Sequence, residues 1–281
     1  MVMNHKICPG LNELTKRILI AVPAAALLLW LTWLGGLPFK ALFALITAIT
    51  LWEVHRMFNE LKTSDYIILS VLLASGIWLA SDYVFGAYFL IPFILLVLSL
   101  ILLTGRKRGT AENPLFSTLF NGVYAPLGFL MIAGIRFPEL DIAGFWLILS
   151  FYLMIWGNDV FAYFGGKNFG KHPMAPNISP KKTWEGFFSG FVGAIAGFSV
   201  AYVISGNFPL PYWVCAPAVL IVSIFGPLGD ITASSLKRLA GVKDSSALLP
   251  GHGGFFDRFD SMILSAPFMY ALYYYLLYSG I

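Results

Sequence analysis

Charge is what this sequence has least of. Only 11% of its 281 residues are Asp, Glu, Lys or Arg, while 58% are hydrophobic. Soluble domains carry about 25% charged residues. A soluble chain of this length has too little interior to hide so much apolar surface. That excludes a water-soluble globular protein and points to a polytopic membrane protein. Cysteine is scarce too: Cys8 precedes the first apolar run and Cys215 lies near the start of a late one. The topology argued below puts them on opposite sides of the membrane, so neither a disulfide nor a Cys metal site is expected. No loop exceeds about 25 residues, and a separate soluble domain needs about 50. Repeats and low-complexity stretches are absent as well.

What is there is a series of apolar runs. Inside a bilayer every backbone polar group must be paired within the protein, so these runs are read as helices. About nine spans are expected, near 18–35, 38–55, 66–81, 84–104, 115–135, 142–164, 186–205, 211–235 and 261–280. The fold class is therefore all-α, a polytopic integral membrane protein. The small residues Ala24-Ala25-Ala26 come too early in the first run for a cleavage site, so it is read as a retained span. With the N-terminus in the cytoplasm, every Lys and Arg except Lys40 and Arg136 falls on the cytoplasmic side. Residues 1–140 then hold about five spans and no motif. Residues 141–281 hold two charged cytoplasmic loops, 165–185 and 236–260. Trp30, Trp33, Trp52, Trp78, Trp146 and Trp213 sit near span ends and are read as the interfacial belt.

The densest polar stretch runs from Gly226 to Asp260. Charge in apolar surroundings is costly and needs a reason. Gly226-Pro227 removes a backbone donor and loosens the eighth span, so a kink or an unwound turn is expected there. Asp230 follows the break at membrane depth, and an intramembrane carboxylate is a functional candidate. Ser234, Lys237 and Arg238 share a helical face with it if the helix resumes. The plainer reading is an internal Asp–Lys pair. Lys243-Asp244 and then Gly251-His252-Gly253-Gly254 follow. Such a glycine run can turn tightly and expose N–H groups to phosphate, or it can be a flexible connector. His252 has no His neighbour in sequence and reads as a phosphate contact or a backbone-oriented side chain. Asp257 and Asp260, three apart, would share a face at the start of the ninth helix. Hard oxygen donors suit Mg²⁺, although acids in a first turn also complement the helix dipole. Arg258 stands between them.

The upstream loop adds Asn158-Asp159, Tyr163, Gly165-Gly166-Lys167, Gly170-Lys171 and Ser179-Pro180-Lys181-Lys182-Thr183-Trp184-Glu185-Gly186. Ser179 as cap and Pro180 at the first position predict a helix start. A helix N-terminus beside two lysines is an anion site, whereas the positive-inside bias alone explains the lysines but not the acids. Glu53 and His55, near the cytoplasmic end of the second span, are read as structural. His5 and His172 carry no assignment.

Ser234, Leu236, Lys237-Arg238, Lys243-Asp244, Ser246, Leu249-Pro250, His252-Gly253-Gly254, Asp257-Arg258 and Asp260 together resemble the signature of the phosphatidate cytidylyltransferases, or CDP-diacylglycerol synthases. The match runs without a gap, and the block from Asn158 to Gly186 also resembles that family. The resemblance implies transfer of CMP from CTP to phosphatidate, giving CDP-diacylglycerol and pyrophosphate. It implies Mg²⁺, a second cation such as K⁺ at a paired site, and a homodimer. It places the metal-associated aspartates on Asp230 and Asp257.

On this reading Asp230, Asp257 and Asp260 hold metal. Lys237, Arg238, Lys243 and Arg258 hold the triphosphate and the leaving pyrophosphate. Ser179, Lys181, Lys182, Thr183, Ser234, Asp244, His252, Gly253, Gly254, Asn158, Asp159 and Lys171 contact CTP or the lipid phosphate. Membrane lipids are partners and nucleic acid is not. The compact loops suit a bacterial plasma membrane. A relative acting on another lipid phosphate or a polyprenol is the alternative enzyme. A cation-coupled transporter would also show broken helices and buried aspartates. Clustering of the acids with Lys and Arg in cytoplasmic loops argues against the transporter.

Overall fold

The computed structural model describes residues 13–61, 66–104 and 113–279. Cys8, His5, Lys6, Lys62 and Arg106-Lys107-Arg108 lie outside the described residues. The chain forms α1 (Glu13–Leu34), α2 (Gly36–Glu60), α3 (Ile67–Leu79), α4 (Ser81–Gly86) and α5 (Ile91–Thr104). Then come α6 (Pro114–Leu119), α7 (Ala125–Ile135), α8 (Ile142–Phe169), α9 (Trp184–Ser205), α10 (Cys215–Leu239) and α11 (Phe255–Tyr278). It is an all-α membrane protein. Among the described residues, five stretches are long and apolar enough to cross a bilayer: Gly36–Glu60, Pro114–Ile135, Ile142–Phe169, Trp184–Ser205 and Tyr212–Leu239.

The expected span at 84–104 is not one helix. It divides into α4 and α5 around a turn at 87–90. With 14 residues, α5 is roughly 21 Å long at about 1.5 Å per residue, short of a 30 Å core. Pro114–Ile135 is the central element, with 89% of its apolar window buried. A π-helical turn, Phe120–Tyr124, joins α6 to α7 and carries Gly122. A Cβ there would stand 2.9 Å from the Ser70 Cα of α3. Small residues let membrane helices approach closely where apolar burial cannot drive them together. The same rule builds the α8–α9 pair. Gly157 and Gly193 face each other across it, and a Cβ on either would overlap the other's carbonyl.

One local expectation is narrowed and another corrected. α10 runs as one continuous helix through Pro227, so of the kink or unwound turn expected there the unwound turn is absent. Proline removes the N–H that would bond the carbonyl four residues back, but neighbouring groups in a bundle can absorb that loss. The segment from Ser179 is not a helix start. Ser179–Thr183 is strand β2, paired antiparallel with β1 (Pro173–Ala175), with Ala175 opposite Ser179 and Pro173 opposite Thr183. The helix begins later, where Thr183 Oγ1 accepts from the Gly186 N–H at 3.2 Å. Cap chemistry was present at both positions, and strand pairing chose the second.

Arg136 is also not an open loop charge. It is 3% exposed and donates from Nε to Thr32 O at 3.0 Å, closing the C-terminal turn of α1. Cys215 is buried and is a free thiol.

Candidate functional site

A cavity of about 680 Å³ opens between α8, the β1–β2 hairpin, α10 and the start of α11. α8 contributes Asn158, Asp159, Tyr163 and Lys167, and the hairpin contributes Met174, Lys181, Lys182 and Thr183. Gly186 and Phe187 come from α9. Asp230 and Lys237 come from α10, Asp244 from the following loop, and Asp257, Arg258, Asp260 and Ser261 from α11. The sequence separates these groups by as much as a hundred positions, and the bundle brings them to one wall. A second groove of about 430 Å³ lies between α2 and α3, lined mainly by apolar side chains and by no carboxylate.

Two ion pairs organise the cavity. Lys182 Nζ stands 2.5 Å from Asp230 Oδ2, and Ser234 Oγ donates to Asp230 Oδ1 at 3.1 Å. Lys182 also reaches Pro227 O at 3.4 Å. The pair is partly open, with side chains 24% and 33% exposed. Lys237 Nζ stands 2.5 Å from Asp257 Oδ1 in a drier setting, 11% and 3% exposed. Asp257 Oδ2 accepts from Ser245 N at 2.8 Å, Ser245 Oγ at 2.9 Å and Gly254 N at 3.0 Å. Charge-assisted bonds of this kind are the strong ones, and here they fix the loop to the helix. Asp260 is buried and accepts from its neighbour Ser261 N at 2.7 Å.

The glycine turn behaves differently from the expected phosphate cradle. Gly253 adopts φ +79°, a backbone region that glycine enters without strain, and a Cβ there would press on Asp257 Oδ2. Two N–H groups of the turn are already taken. His252 N bonds Leu249 O at 2.8 Å and Gly254 N bonds Asp257. Part of the turn is therefore spent on the protein's own carboxylate. His252 Nδ1 is buried without a partner.

Other expected contacts fall outside the cavity lining. Arg238 Nε donates to Ile178 O at 3.4 Å, tying α10 to the hairpin. Lys243 and Lys171 are exposed, and Ser179 sits in β2. Asn158 lines the cavity but spends its Nδ2–H on Ser223 Oγ at 3.0 Å. His172 Nδ1 pairs with Glu185 Oε1 at 2.6 Å on the exposed side of the hairpin.

Glu53, read as structural from the sequence, is fully buried, and its carboxylate accepts from Ser245 Oγ, Ser246 Oγ, Phe255 N and Phe256 N. The signal was available. An acid inside the apolar second span meets the criterion that singled out Asp230.

The donors facing the cavity are carboxylate oxygens, with neither His nor Cys among them. That set fits a hard cation such as Mg²⁺. Among the described residues no three His, Cys, Asp or Glu side chains close round an ion by themselves. Mg²⁺ commonly takes only one or two carboxylates and completes its shell with water and substrate phosphates. The lysine ammoniums at Asp230 and Asp257 show that both carboxylates attract a cation.

The Cytidylyltransferase family, compared through its sequence profile, matches residues 15–276. The phosphatidate cytidylyltransferase of Bacillus subtilis (strain 168) is 35% identical over 266 residues, covering 92% of this chain and 97% of its own. That of Brucella abortus biovar 1 (strain 9-941) is 32% identical over 268 residues, covering 92% and 93%. That of Staphylococcus aureus (strain COL) is 34% identical over 263 residues, covering 90% and 96%.

Proposed function

The chain belongs to the Cytidylyltransferase family, and from that premise we propose that it is a phosphatidate cytidylyltransferase of phospholipid synthesis. It takes CTP and phosphatidate to CDP-diacylglycerol and pyrophosphate. The observation that carries the reading is one cavity lined by both lysines and aspartates, at the ends of bilayer-spanning helices. The transporter and polyprenol readings have no comparable support.

The chemistry joins two polyanions. A phosphate oxygen of phosphatidate attacks the α-phosphorus of CTP, forming one P–O bond. The bond from that phosphorus to the bridging oxygen breaks, and pyrophosphate leaves with the electron pair. A phosphate monoester has its second pKa near 6, so the nucleophile is largely ionised at neutral pH and needs no strong base. The obstacle is repulsion, and fixed cations remove it. Lys181, Lys182, Lys237 and Arg258 line the cavity and are assigned to the phosphates. Lys243, Arg238, Lys171 and His252 lie outside the cavity lining and are left out of this assignment. Asp230, Asp257 and Asp260 are assigned to Mg²⁺, with a K⁺ ion as second cation. A bound divalent ion would neutralise phosphate charge and hold the triphosphate in line. Lys182 and Lys237, which now pair with Asp230 and Asp257, would then be available to phosphate oxygens.

The proposal extends to topology and assembly. It has about nine spans, with the N-terminus and the cavity on the cytoplasmic side of a bacterial inner membrane. The assembly is a homodimer. The test is incorporation of labelled CTP by the purified protein in detergent. CDP-diacylglycerol and pyrophosphate formed in equal amounts, dependent on phosphatidate, are expected. Transfer to a polyprenyl phosphate in its place would overturn the substrate assignment.

A further inference from the structure

We propose that Glu53, on α2, is a positioning residue for the CTP side of this site. The inference rests on the cytidylyltransferase reading and adds to it a residue from the N-terminal half of the chain. The carboxylate is fully buried in an apolar helix. A buried charge is costly unless paired and hydrogen-bonded, and among the described residues Glu53 has no ion-pair partner. Its compensation comes from one place, the segment that ends the motif loop and opens α11. Phe255 N donates to Oε1 at 3.0 Å and Phe256 N to Oε2 at 2.8 Å. These are orphan N–H groups of a helix N-terminus, where the dipole also favours an anion. Ser246 Oγ donates to Oε1 at 2.6 Å and Ser245 Oγ to Oε2 at 3.2 Å.

Ser245 links the two carboxylates. The same hydroxyl lies 2.9 Å from Asp257 Oδ2, so Glu53 and Asp257 grip the loop together. Glu53 thereby sets where Asp257 and Arg258 stand relative to Lys237 on α10. Gly254 supplies a second, independent sign. A Cβ at that position would overlap both Glu53 Oε1 and Ser245 Oγ. The last glycine of the turn is required because a carboxylate from α2 occupies the space of a side chain. The groups that Glu53 holds, Asp257 and Arg258, are those read as metal- and triphosphate-binding, so its loss should weigh on CTP more than on phosphatidate.

The experiment compares initial rates of full-length wild type, Glu53→Gln and Glu53→Asp in detergent, varying CTP and phosphatidate separately. Glutamine keeps the size but must aim an NH₂ group at donors. Small displacements of reacting groups cost up to about 100-fold in rate. For Glu53→Gln we expect kcat/KM for CTP to fall at least about 10-fold, with KM for CTP raised and KM for phosphatidate within about 2-fold of wild type. Glu53→Asp, which keeps the charge at shorter reach, should recover part of the loss. Wild-type KM for CTP in a folded Glu53→Gln protein overturns the proposal, even if kcat falls through a smaller active fraction. If Glu53→Gln does not fold, Ser246→Ala decides. A raised KM for CTP alone supports the role, and unchanged kinetics overturn it. A wild-type protein that makes no CDP-lipid would instead refute the functional reading itself.

Discussion

Changing Asp257 to Asn should damage stability and turnover by separate routes. Asparagine keeps the shape and one oxygen of the carboxylate but not its charge. In this structure the loss strands Lys237, whose ammonium lies 2.5 Å from Asp257 with side chains 11% and 3% exposed. Removing one partner of a buried pair costs roughly 3–5 kcal/mol because the other charge is left uncompensated. The retained oxygen can still accept from Ser245 N or Gly254 N, so the lower end, about 3 kcal/mol, is expected. At about 2–4 °C per kcal/mol for chains of 150–250 residues, the apparent Tm should drop by about 6–12 °C. Turnover should fall at least about 100-fold, the scale of losing one major electrostatic contributor. A double variant separates the effects. Lys237→Met with Asp257→Asn removes both charges, keeps an acceptor for Ser245 N or Gly254 N, and should recover much of the stability. It should recover no activity. The assay is thermal unfolding followed by tryptophan fluorescence, beside initial rates at limiting Mg²⁺ and CTP. Near-native turnover of Asp257→Asn at limiting Mg²⁺ would refute the assignment, and the site would have to be rebuilt on other residues.

Asp230→Asn should lose turnover to a similar degree but much less stability, because its pair with Lys182 is about a third exposed and screened; the same two assays report it, and Asp244→Asn should cost less than either. Activity should vanish in excess EDTA and return with Mg²⁺, and full turnover in chelator would sink the metal assignment. Gly193→Val should part α8 from α9 and lower the apparent Tm, since the new side chain overlaps the Gly157 carbonyl; an unchanged Tm would show that the seam is not close-packed. Single cysteines in 165–185 and 240–254 should resist an impermeant thiol reagent in intact cells and react after lysis, and labelling in intact cells would reverse the topology.

The membrane class was legible because apolar excess needs no geometry to interpret. The convergence of Asp230, Lys237, Asp257 and Asp260 was legible because they share a short stretch with helical spacing. Partners set by distant contacts were not. Nothing local in Ser179-Pro180 reveals that a neighbouring strand will hold it extended. Nothing local in Pro227 tells whether its bundle will absorb the missing N–H. Lys182 reads as a basic residue among others until α10 supplies Asp230. The glycine turn was read as open to phosphate because sequence shows its freedom and not its occupant. Glu53 was visible as a charge in the wrong place, but its four donors arrive from about two hundred residues away.

That distance has a consequence for biosynthesis. The ribosome completes α2 long before it makes α11. Until the segment from Ser245 to Phe256 arrives, Glu53 is an acid in an apolar helix with none of these four donors. A chain truncated ahead of α11 lacks two of the four donors, the N–H groups of Phe255 and Phe256. Full hydrogen bonding of this one carboxylate therefore waits until the start of α11 has been made.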